Sequence, residues 1–225
     1  MNSGKYVFAQ LLQYISRYEF EKYVSAYNGD FRTRELNCWN QFIQLFFGQL
    51  TARNSIRDIC TCLKAHRNKL YHLGVRQYMN QSTLSRANER RDFRIFADFG
   101  NYLIEQVRPM YAKEPIPNVD IDNEVFALDS TTISLSLKLF SWAPGKYSRG
   151  AVKIHTLLDL RGSIPSFILI TDGKYHDSNV LDVLPPIPDA IYIMDKAYID
   201  FKALFHMQKL NPFFISRANS TMDYT

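Results

Sequence analysis

Two aspartates, Asp129 and Asp195, each follow directly on a hydrophobic run, and carboxylates placed in this way can bind a metal ion. "VFAL" runs into Asp129 and "IYIM" runs into Asp195. If both runs are strands that lie side by side, their carboxyl ends share a sheet edge, which is where α/β sheets bind ligands. Two carboxylates held there would repel each other unless a cation lay between them. Mg²⁺ is the predicted occupant, and two such ions can support phosphodiester chemistry.

Each aspartate taken alone has a simpler explanation. Asp129 precedes "STT" and could form a turn, and Asp195 could cap the segment that follows it. Their matched placement at the ends of two strands favours the metal site over both explanations. A serine nucleophile at Ser130 is disfavoured, because the sequence has no Gly-x-Ser-x-Gly elbow and no evident histidine partner.

Other side chains near these strands could approach a phosphate. Lys153 and His155 lie two residues apart in "AVKIHTLLDL", so on a strand they point to the same face. A strand face exposed to water would show the same alternation. His176, in "DGKYHD", could orient a ligand, while capping of a short helix by Asp177 or Ser178 is the simpler interpretation of this segment.

The elements that must position these residues change in type along the chain. Residues 1–111 are sparse in Gly and Pro and predict a helical domain, residues 112–123 predict a linker, and residues 124–225 predict strands with short helices. The order of three strands, helix, strand, helix and strand predicts a mixed sheet, antiparallel at first and then with parallel crossovers. The fold class is therefore α+β or α/β, with a helical N-terminal domain before a sheet with flanking helices.

A basic stripe is predicted on the last helix of the first domain. A start signal at Ser82 and a stop at Pro109 predict one long helix. Arg86, Arg90 and Arg94 recur every four residues and fall opposite its apolar side. Guanidinium groups in such a row can contact DNA phosphates and base edges, although a solvated charged face would look alike.

Charge and composition agree with two parts of different function. The net charge of the chain is +5. Up to Asn118 there are 17 Lys and Arg against 10 Asp and Glu, so the first part is basic. After Asn118 there are 10 Lys and Arg against 12 Asp and Glu, so the second part is mildly acidic. Three cysteines form no zinc or disulfide pattern, so reduced and partly buried thiols are expected. No segment resembles a signal peptide or membrane span, which predicts a cytoplasmic protein without a membrane partner.

Four segments in order, "FALDSTTISL", "VKIHTLLDLRGSIPSFILITDGKYHD", "YIMDKAYIDF" and "FFISRAN", resemble the catalytic domain of bacterial insertion-sequence transposases of the type-four family. These are DDE enzymes with a ribonuclease-H-like fold, and the opening segment resembles the small helical domain that often precedes it. The resemblance implies that Asp129 and Asp195 are the first two catalytic aspartates and hold Mg²⁺ or Mn²⁺, with two ions in an intact enzyme. Where the family often has Asp-Arg-Gly-Tyr, this chain has Asp195-Lys196-Ala197-Tyr198, so Lys196 and Tyr198 keep the basic and aromatic character.

The resemblance also implies partners and a location. The implied activity is cut-and-paste transposition by metal-dependent DNA cleavage and strand transfer. The implied partner is double-stranded DNA, as transposon terminal inverted repeats and as target, with a homodimer as one candidate assembly in the bacterial cytoplasm at the nucleoid. The predicted DNA contacts are Arg86, Arg90, Arg94, Lys153, His155, Lys196 and Tyr198.

The sequence departs from the family at its third acid. That acid is a glutamate on a helix beyond the last strand, but no Glu follows Glu124, and the only acidic residue after "FFISRAN" is Asp223. We therefore expect a C-terminally truncated transposase, with an incomplete ribonuclease-H-like domain lacking its C-terminal part and weak or no activity. The alternatives are a non-catalytic DNA-binding remnant that recognises transposon ends, and a ribonuclease-H-like nuclease unrelated to transposition.

Overall fold

The computed structural model describes residues 6–112, 114–116, 121–135, 150–208 and 211–217. The chain divides into two compact units, Met1–Leu103 and Ile104–Thr225. This division falls before the boundary at residue 111 that the sequence predicts, and the predicted linker at 112–123 lies partly outside the described residues. The domain limits taken from the sequence stay a prediction.

The first unit is built from helices whose starts are capped by side chains. Ser16, Asn37, Ser55 and Asn80 each accept a hydrogen bond from the backbone N–H three residues later, which satisfies donors that a helix start leaves free. Buried aromatic and aliphatic side chains pack between the helices. The α-helices of this region are α1 (Val7–Leu11), α2 (Arg17–Ala26), α3 (Cys38–Leu50), α4 (Ile56–Ala65), α5 (Gln81–Arg90) and α6 (Arg94–Tyr111).

The single helix predicted between Ser82 and Pro109 is wrong, because the chain breaks between α5 and α6. Arg91 is extended, with ψ 142°, and its guanidinium turns inward to the Leu36 carbonyl oxygen and the Gln41 Oε1. Asp92 then accepts a hydrogen bond of 3.0 Å from the N–H of Arg94 and starts the next helix. The basic stripe is therefore divided between two helices. Pro109 lies inside α6 and does not end it.

The second unit contains a five-stranded mixed sheet of order β3-β2-β1-β4-β5. The central strand β1 pairs with β2 antiparallel and with β4 parallel, β2 pairs with β3 antiparallel, and β4 pairs with β5 parallel. This confirms the predicted change from antiparallel hairpins to parallel crossovers. The strands are β1 (Val125–Leu135), β2 (Gly150–Asp159), β3 (Ile164–Asp172), β4 (Ile191–Met194) and β5 (Phe213–Ser216).

Side chains alternate across this sheet, so its two faces differ. One face carries a hydrophobic cluster that includes Phe126, Leu128, Leu157, Tyr192 and Met194, and it packs against two 3₁₀ segments and helix α7. The 3₁₀ segments are Asp177–Asp182 and Lys196–Tyr198, and α7 is Phe201–Met207. Residues at alternate positions, such as Ile168, Ile170, Ile193, Phe213 and Ile215, are exposed. The α+β architecture agrees with the predicted class.

Three further expectations concern cysteines, membranes and the helix after "DGKYHD". Cys38 and Cys60 are buried and free, and Cys62 is partly buried and free. Among the described residues, no helix combines the length and hydrophobicity that crossing a membrane requires.

The segment Asp177–Asp182 is a 3₁₀ helix capped by His176, whose Nδ1 accepts from the Ser178 N–H, so the predicted cap by Asp177 or Ser178 is wrong.

Candidate active site

The sheet places Asp129 and Asp195 level with each other on neighbouring strands. In the parallel pairing of β1 with β4, Leu128 lies opposite Met194, so the next residue of each strand is an aspartate. Leu128 and Met194 face the buried cluster, and Asp129, one position on, is exposed on the other side. β1 continues past Asp129 to Leu135, whereas β4 stops at Met194 and leaves Asp195 at its tip.

Asp195 is fixed by three donors on one of its carboxylate oxygens. Its Oδ1 accepts from the Lys196 N–H at 2.7 Å, and from the Nη2 and Nε of Arg217 at 2.8 Å and 3.3 Å. The Arg217 hydrogen bond and then the Lys196 N–H lower the pKa of Asp195 from its usual value, so the side chain is ionised at neutral pH. In the described part of the chain, all donors to this carboxylate bind Oδ1, and Oδ2 is left for another ligand.

Arg217 is a site residue that the motif "FFISRAN" contains but sequence reasoning did not single out. Ser216 at the end of β5 lies opposite Met194 at the end of β4, so the residue after β5 comes beside Asp195. The same register argument that pairs Asp129 with Asp195 could have found it. The Arg217 side chain is 77% exposed and Asp195 is 43% exposed, so their ion pair is accessible to solvent.

Tyr198, predicted to contact DNA, is instead buried. It ends the 3₁₀ turn after Asp195 and is 1% exposed. Its hydroxyl lies 3.5 Å from Nδ1 of His155 in β2 and close to Ser130, the neighbour of Asp129 in β1. Burial, with smaller contributions from nearby carboxylates, raises the pKa of Tyr198 to about 12, so the phenol is neutral. This contact connects the turn after Asp195 to the strand that carries Asp129.

Lys153 and His155 share a face of β2, as predicted, but that face is the inner one. Lys153 Nζ donates to Asp177 Oδ1 at 3.1 Å and to the Tyr175 carbonyl oxygen at 3.0 Å. Ser130 Oγ donates to the same Asp177 oxygen at 3.1 Å. His155 is 0% exposed, and burial lowers its pKa. We call Ser130, Lys153, His155, Asp177 and Tyr198 the inner polar network.

Membership of the inner polar network bears on the DNA contacts predicted for Lys153, His155 and Tyr198. Buried His155 and Tyr198 have no surface to offer a DNA strand, and Lys153 is largely covered by its pairing with Asp177, with 14% of its side chain exposed. Burial therefore favours a positioning role for all three. Lys196, by contrast, is exposed next to Asp195, where contact with a phosphate stays a prediction.

The two aspartates suit a hard divalent cation, because each offers carboxylate oxygen on the exposed side of the sheet. Within residues 6–112, 114–116, 121–135, 150–208 and 211–217, no group of three or more His, Cys, Asp or Glu residues is placed to hold a metal ion. Asp177 is not placed to join them, since it contacts Lys153 and Ser130 on the inner face of the sheet, opposite the face that Asp129 occupies. Asp129 and Asp195 are thus the two carboxylates of the described sheet that could hold an ion together.

The predicted DNA-binding arginines of the first unit lie in two different settings. Arg86 and Arg90 are exposed on α5 and line an open groove of about 910 Å³. Arg94, at the start of α6, is held by both carboxylate oxygens of Asp92, with the shortest contact 2.5 Å, and its guanidinium stacks 4.6 Å from the Tyr27 ring centroid. The charge of Arg94 is therefore largely compensated within the chain.

Comparison with known proteins finds a matching family for each of the two regions. Residues 120–225 match the family described as "Transposase DDE domain", and residues 3–76 match a "Domain of unknown function (DUF4372)". A helical region followed by this mixed sheet is the architecture of an α+β, ribonuclease-H-like transposase domain. These matches and the similarity to transposases of insertion sequences support a DDE transposase, and the IS4SA relative described below supports the type-four family. DDE domains as a class use divalent metal ions and act on DNA.

Two relatives illustrate the similarity. A Synechocystis protein described as a transposase for insertion sequence element IS4SA is 27% identical over 132 residues, 58% of this chain and 36% of that protein. A Geobacillus stearothermophilus protein described as a transposase for insertion sequence element IS5377 is 26% identical over 96 residues, 43% of this chain and 25% of that protein. The chain therefore spans well under two thirds of either relative.

Proposed function

We propose that this chain takes part in the transposition of an insertion sequence by metal-dependent cleavage and joining of DNA strands. The observation that carries the proposal is the β1–β4 register, which puts Asp129 and Asp195 side by side within the matched transposase domain. Both carboxylates would hold divalent cations, which we propose to be two Mg²⁺ or Mn²⁺ ions. When bound, such ions activate a water or 3′-hydroxyl and stabilise the leaving oxygen.

The residues of the chain prepare this site in three ways. Arg217 and the Lys196 N–H orient Asp195 through Oδ1, which leaves Oδ2 for a cation. The inner polar network holds the turn after Asp195 against β1. Exposed Lys196 is suited to contact a phosphate of the DNA strand.

The proposed partners are the terminal inverted repeats of the element and a target duplex, with a homodimer as one assembly and the bacterial nucleoid as the place of action. Arg86 and Arg90 are the proposed DNA contacts on the first unit. Arg94 would contribute a weaker contact with DNA, because Asp92 already neutralises much of its charge. The family resemblance implies three catalytic acids, and these 225 residues contain two of them. We therefore still predict weak or absent strand transfer by this chain.

Metal binding provides a test that does not depend on activity. We expect Asp129→Asn and Asp195→Asn each to weaken Mn²⁺ binding by about tenfold or more in an electron paramagnetic resonance titration, because each removes one of two anionic ligands. Asp182→Asn is the matched control, since Asp182 is exposed on the 3₁₀ segment of the same unit. Mn²⁺ affinity that is the same in all four proteins would contradict the proposed site.

A DNA assay separates the proposed function from its alternatives. The chain is mixed with Mg²⁺ or Mn²⁺ and duplexes that carry the terminal repeats of its element, next to scrambled duplexes. Slow nicking at the repeats that both aspartate substitutions abolish would support the transposase. Binding to the repeats without nicking would support a DNA-binding remnant, whereas equal cleavage of scrambled DNA would support an unrelated nuclease.

A further inference from the structure

A groove on the first unit combines arginines from two separate segments. It lies between the loop 27–36 and helix α5, and its volume is about 910 Å³. Arg32 and Arg34 line it from the loop, and Arg86 and Arg90 line it from the helix. We call these four residues the arginine groove. The loop residues were no part of the stripe predicted from sequence, because about fifty residues separate them from α5 along the chain.

The charge of the arginine groove is not balanced inside the described protein. None of the four arginines forms an ion pair with a described carboxylate, and all four are exposed. The groove is also lined by Glu35 and Asp92, but Asp92 is engaged by Arg94. Several unpaired guanidinium groups around one open groove attract a polyanion with closely spaced charges.

Arg91 holds the two walls of the groove together. Its side chain is 8% exposed and lies 3.5 Å from Asp30, and it also binds the Leu36 carbonyl oxygen at the end of the loop. Asp30 in turn accepts the Cys38 N–H at the start of α3, at 2.7 Å. The loop is therefore fastened to the α5–α6 junction at its middle and at its end, which keeps the arginines of both walls in place before a ligand arrives.

An exposed aromatic ring lies in the same groove. Phe31 is 72% exposed and lines the groove, and the Arg32 guanidinium is 5.1 Å from its ring centroid. A large apolar side chain so exposed among arginines matches the chemistry of nucleic-acid surfaces, where cationic groups bind phosphates and an apolar ring packs against a base.

We propose that the arginine groove binds the backbone of double-stranded DNA, with Phe31 as an apolar wedge against a base step. The proposal rests on the proposed function only for the choice of DNA as partner. It adds Arg32, Arg34 and Phe31 to the interface and leaves out Arg94. It also assigns a binding role to part of the region 3–76 that matches a domain of unknown function.

Salt-dependent binding to a duplex tests the arginines. Each phosphate contact contributes about 0.9 to the slope of log K against log salt, so one lost contact weakens binding about eightfold at about 0.1 M salt relative to about 1 M. We expect Arg32→Ala, Arg34→Ala, Arg86→Ala and Arg90→Ala each to lower the slope by about one in fluorescence anisotropy with a duplex of random sequence. Arg67→Ala removes the same charge outside the groove and should change the slope by much less.

Three further measurements make the outcome decisive. Arg→Lys replacements at the same four positions should restore most of the slope, and circular dichroism should show intact helices in every variant. A duplex with 2-aminopurine should brighten when wild-type protein unstacks a base step, but not with Phe31→Ala, while Phe93→Ala, an equally exposed control outside the groove lining, should behave as wild type.

The proposal would be overturned if the slope of log K against log salt were the same in the four alanine variants as in Arg67→Ala. It would also be overturned if the protein bound duplex RNA or an acidic peptide more tightly than duplex DNA. Failure of the metal site is distinguishable, because Asp129→Asn and Asp195→Asn would then leave Mn²⁺ binding unchanged while the groove variants still lose DNA affinity. Failure of the groove alone would leave the Mn²⁺ results as expected.

Discussion

Replacing Asp177 by alanine should destabilise the second unit more than its position near the surface suggests. Asp177 Oδ1 accepts from Lys153 Nζ and Ser130 Oγ, each at 3.1 Å, and the Asp177 and Lys153 side chains are only 19% and 14% exposed. Its removal leaves the Lys153 ammonium with the Tyr175 carbonyl oxygen as its remaining acceptor among the described residues.

The expected magnitude follows from these contacts. Removing one partner of a buried ion pair costs about 3–5 kcal/mol, and the residual exposure of both side chains reduces this to about 3 kcal/mol. A change of that size speeds hydrogen exchange through global opening by about 100-fold. Asp182→Ala, on the same 3₁₀ segment and exposed, should cost less than about 0.5 kcal/mol.

The assay must separate the two units, because one optical transition would mix them. Hydrogen exchange followed by mass spectrometry on peptides from β1 and β2 in moderate urea reports the second unit alone. The double variant Asp177→Ala with Lys153→Met should recover part of the loss, with a coupling energy of about 1–3 kcal/mol. Equal hydrogen-exchange protection in Asp177→Ala and Asp182→Ala would refute the inner polar network as a structural unit. Strict additivity of the stability losses of Asp177→Ala and Lys153→Met in the double variant would refute it as well.

Three more predictions concern buried polar side chains. Tyr198→Phe keeps the ring but loses the hydroxyl beside Ser130, so we expect a loss of about 1 kcal/mol in the same exchange assay, and no loss would contradict the contact. Burial lowers the pKa of His155 from 6.5, so the unfolded chain takes up its proton more readily. The free energy of unfolding is then greatest above about pH 6.5 and falls as the pH drops towards the lowered pKa. His155→Asn should flatten this fall below about pH 6.5, and parallel curves for the two proteins would exclude the mechanism. Gln44 is fully buried and its amide finds no hydrogen-bond partner among the described residues, so Gln44→Leu should raise the free energy of unfolding of the first unit by about 1–3 kcal/mol. Hydrogen exchange across α3 measures this, and unchanged or reduced protection would contradict the prediction.

Much of the catalytic sheet follows from local sequence signals. The hydrophobic runs before Asp129 and Asp195 mark two strands, and a short element between them marks a crossover, so the parallel pairing of the two runs could be predicted. The hairpin between β2 and β3 follows from Arg161-Gly162-Ser163 in the same way. Arg217 could have been found too, because it occupies the position after β5 that Asp195 occupies after β4.

Other features depend on contacts between distant residues and could not be predicted from periodicity. The break before α6 arises because Arg91 turns inward to groups fifty or more positions earlier in the chain, and no local sequence pattern shows those contacts. Likewise, alternation places Lys153 and His155 on one face but does not say which face is covered. The 3₁₀ segments after β3 and β4 cover it, and their packing makes His155 and Tyr198 interior residues.

The opposite orientation of neighbouring residues in β1 separates stability from metal binding. Leu128 and Ser130 face inward, where Ser130 joins the inner polar network, while Asp129 between them faces outward. Among the described residues, no side chain of the network hydrogen-bonds to the Asp129 carboxylate, whereas Arg217 contacts Asp195 directly. Variants at Asp177 should consequently lose stability first and Mn²⁺ affinity in proportion to unfolding, but Asp129→Asn should lose Mn²⁺ affinity while hydrogen exchange in β1 stays close to that of the wild type. A strong loss of protection in Asp129→Asn would show that the outward carboxylate supports the fold, and the division between the two faces would then be wrong.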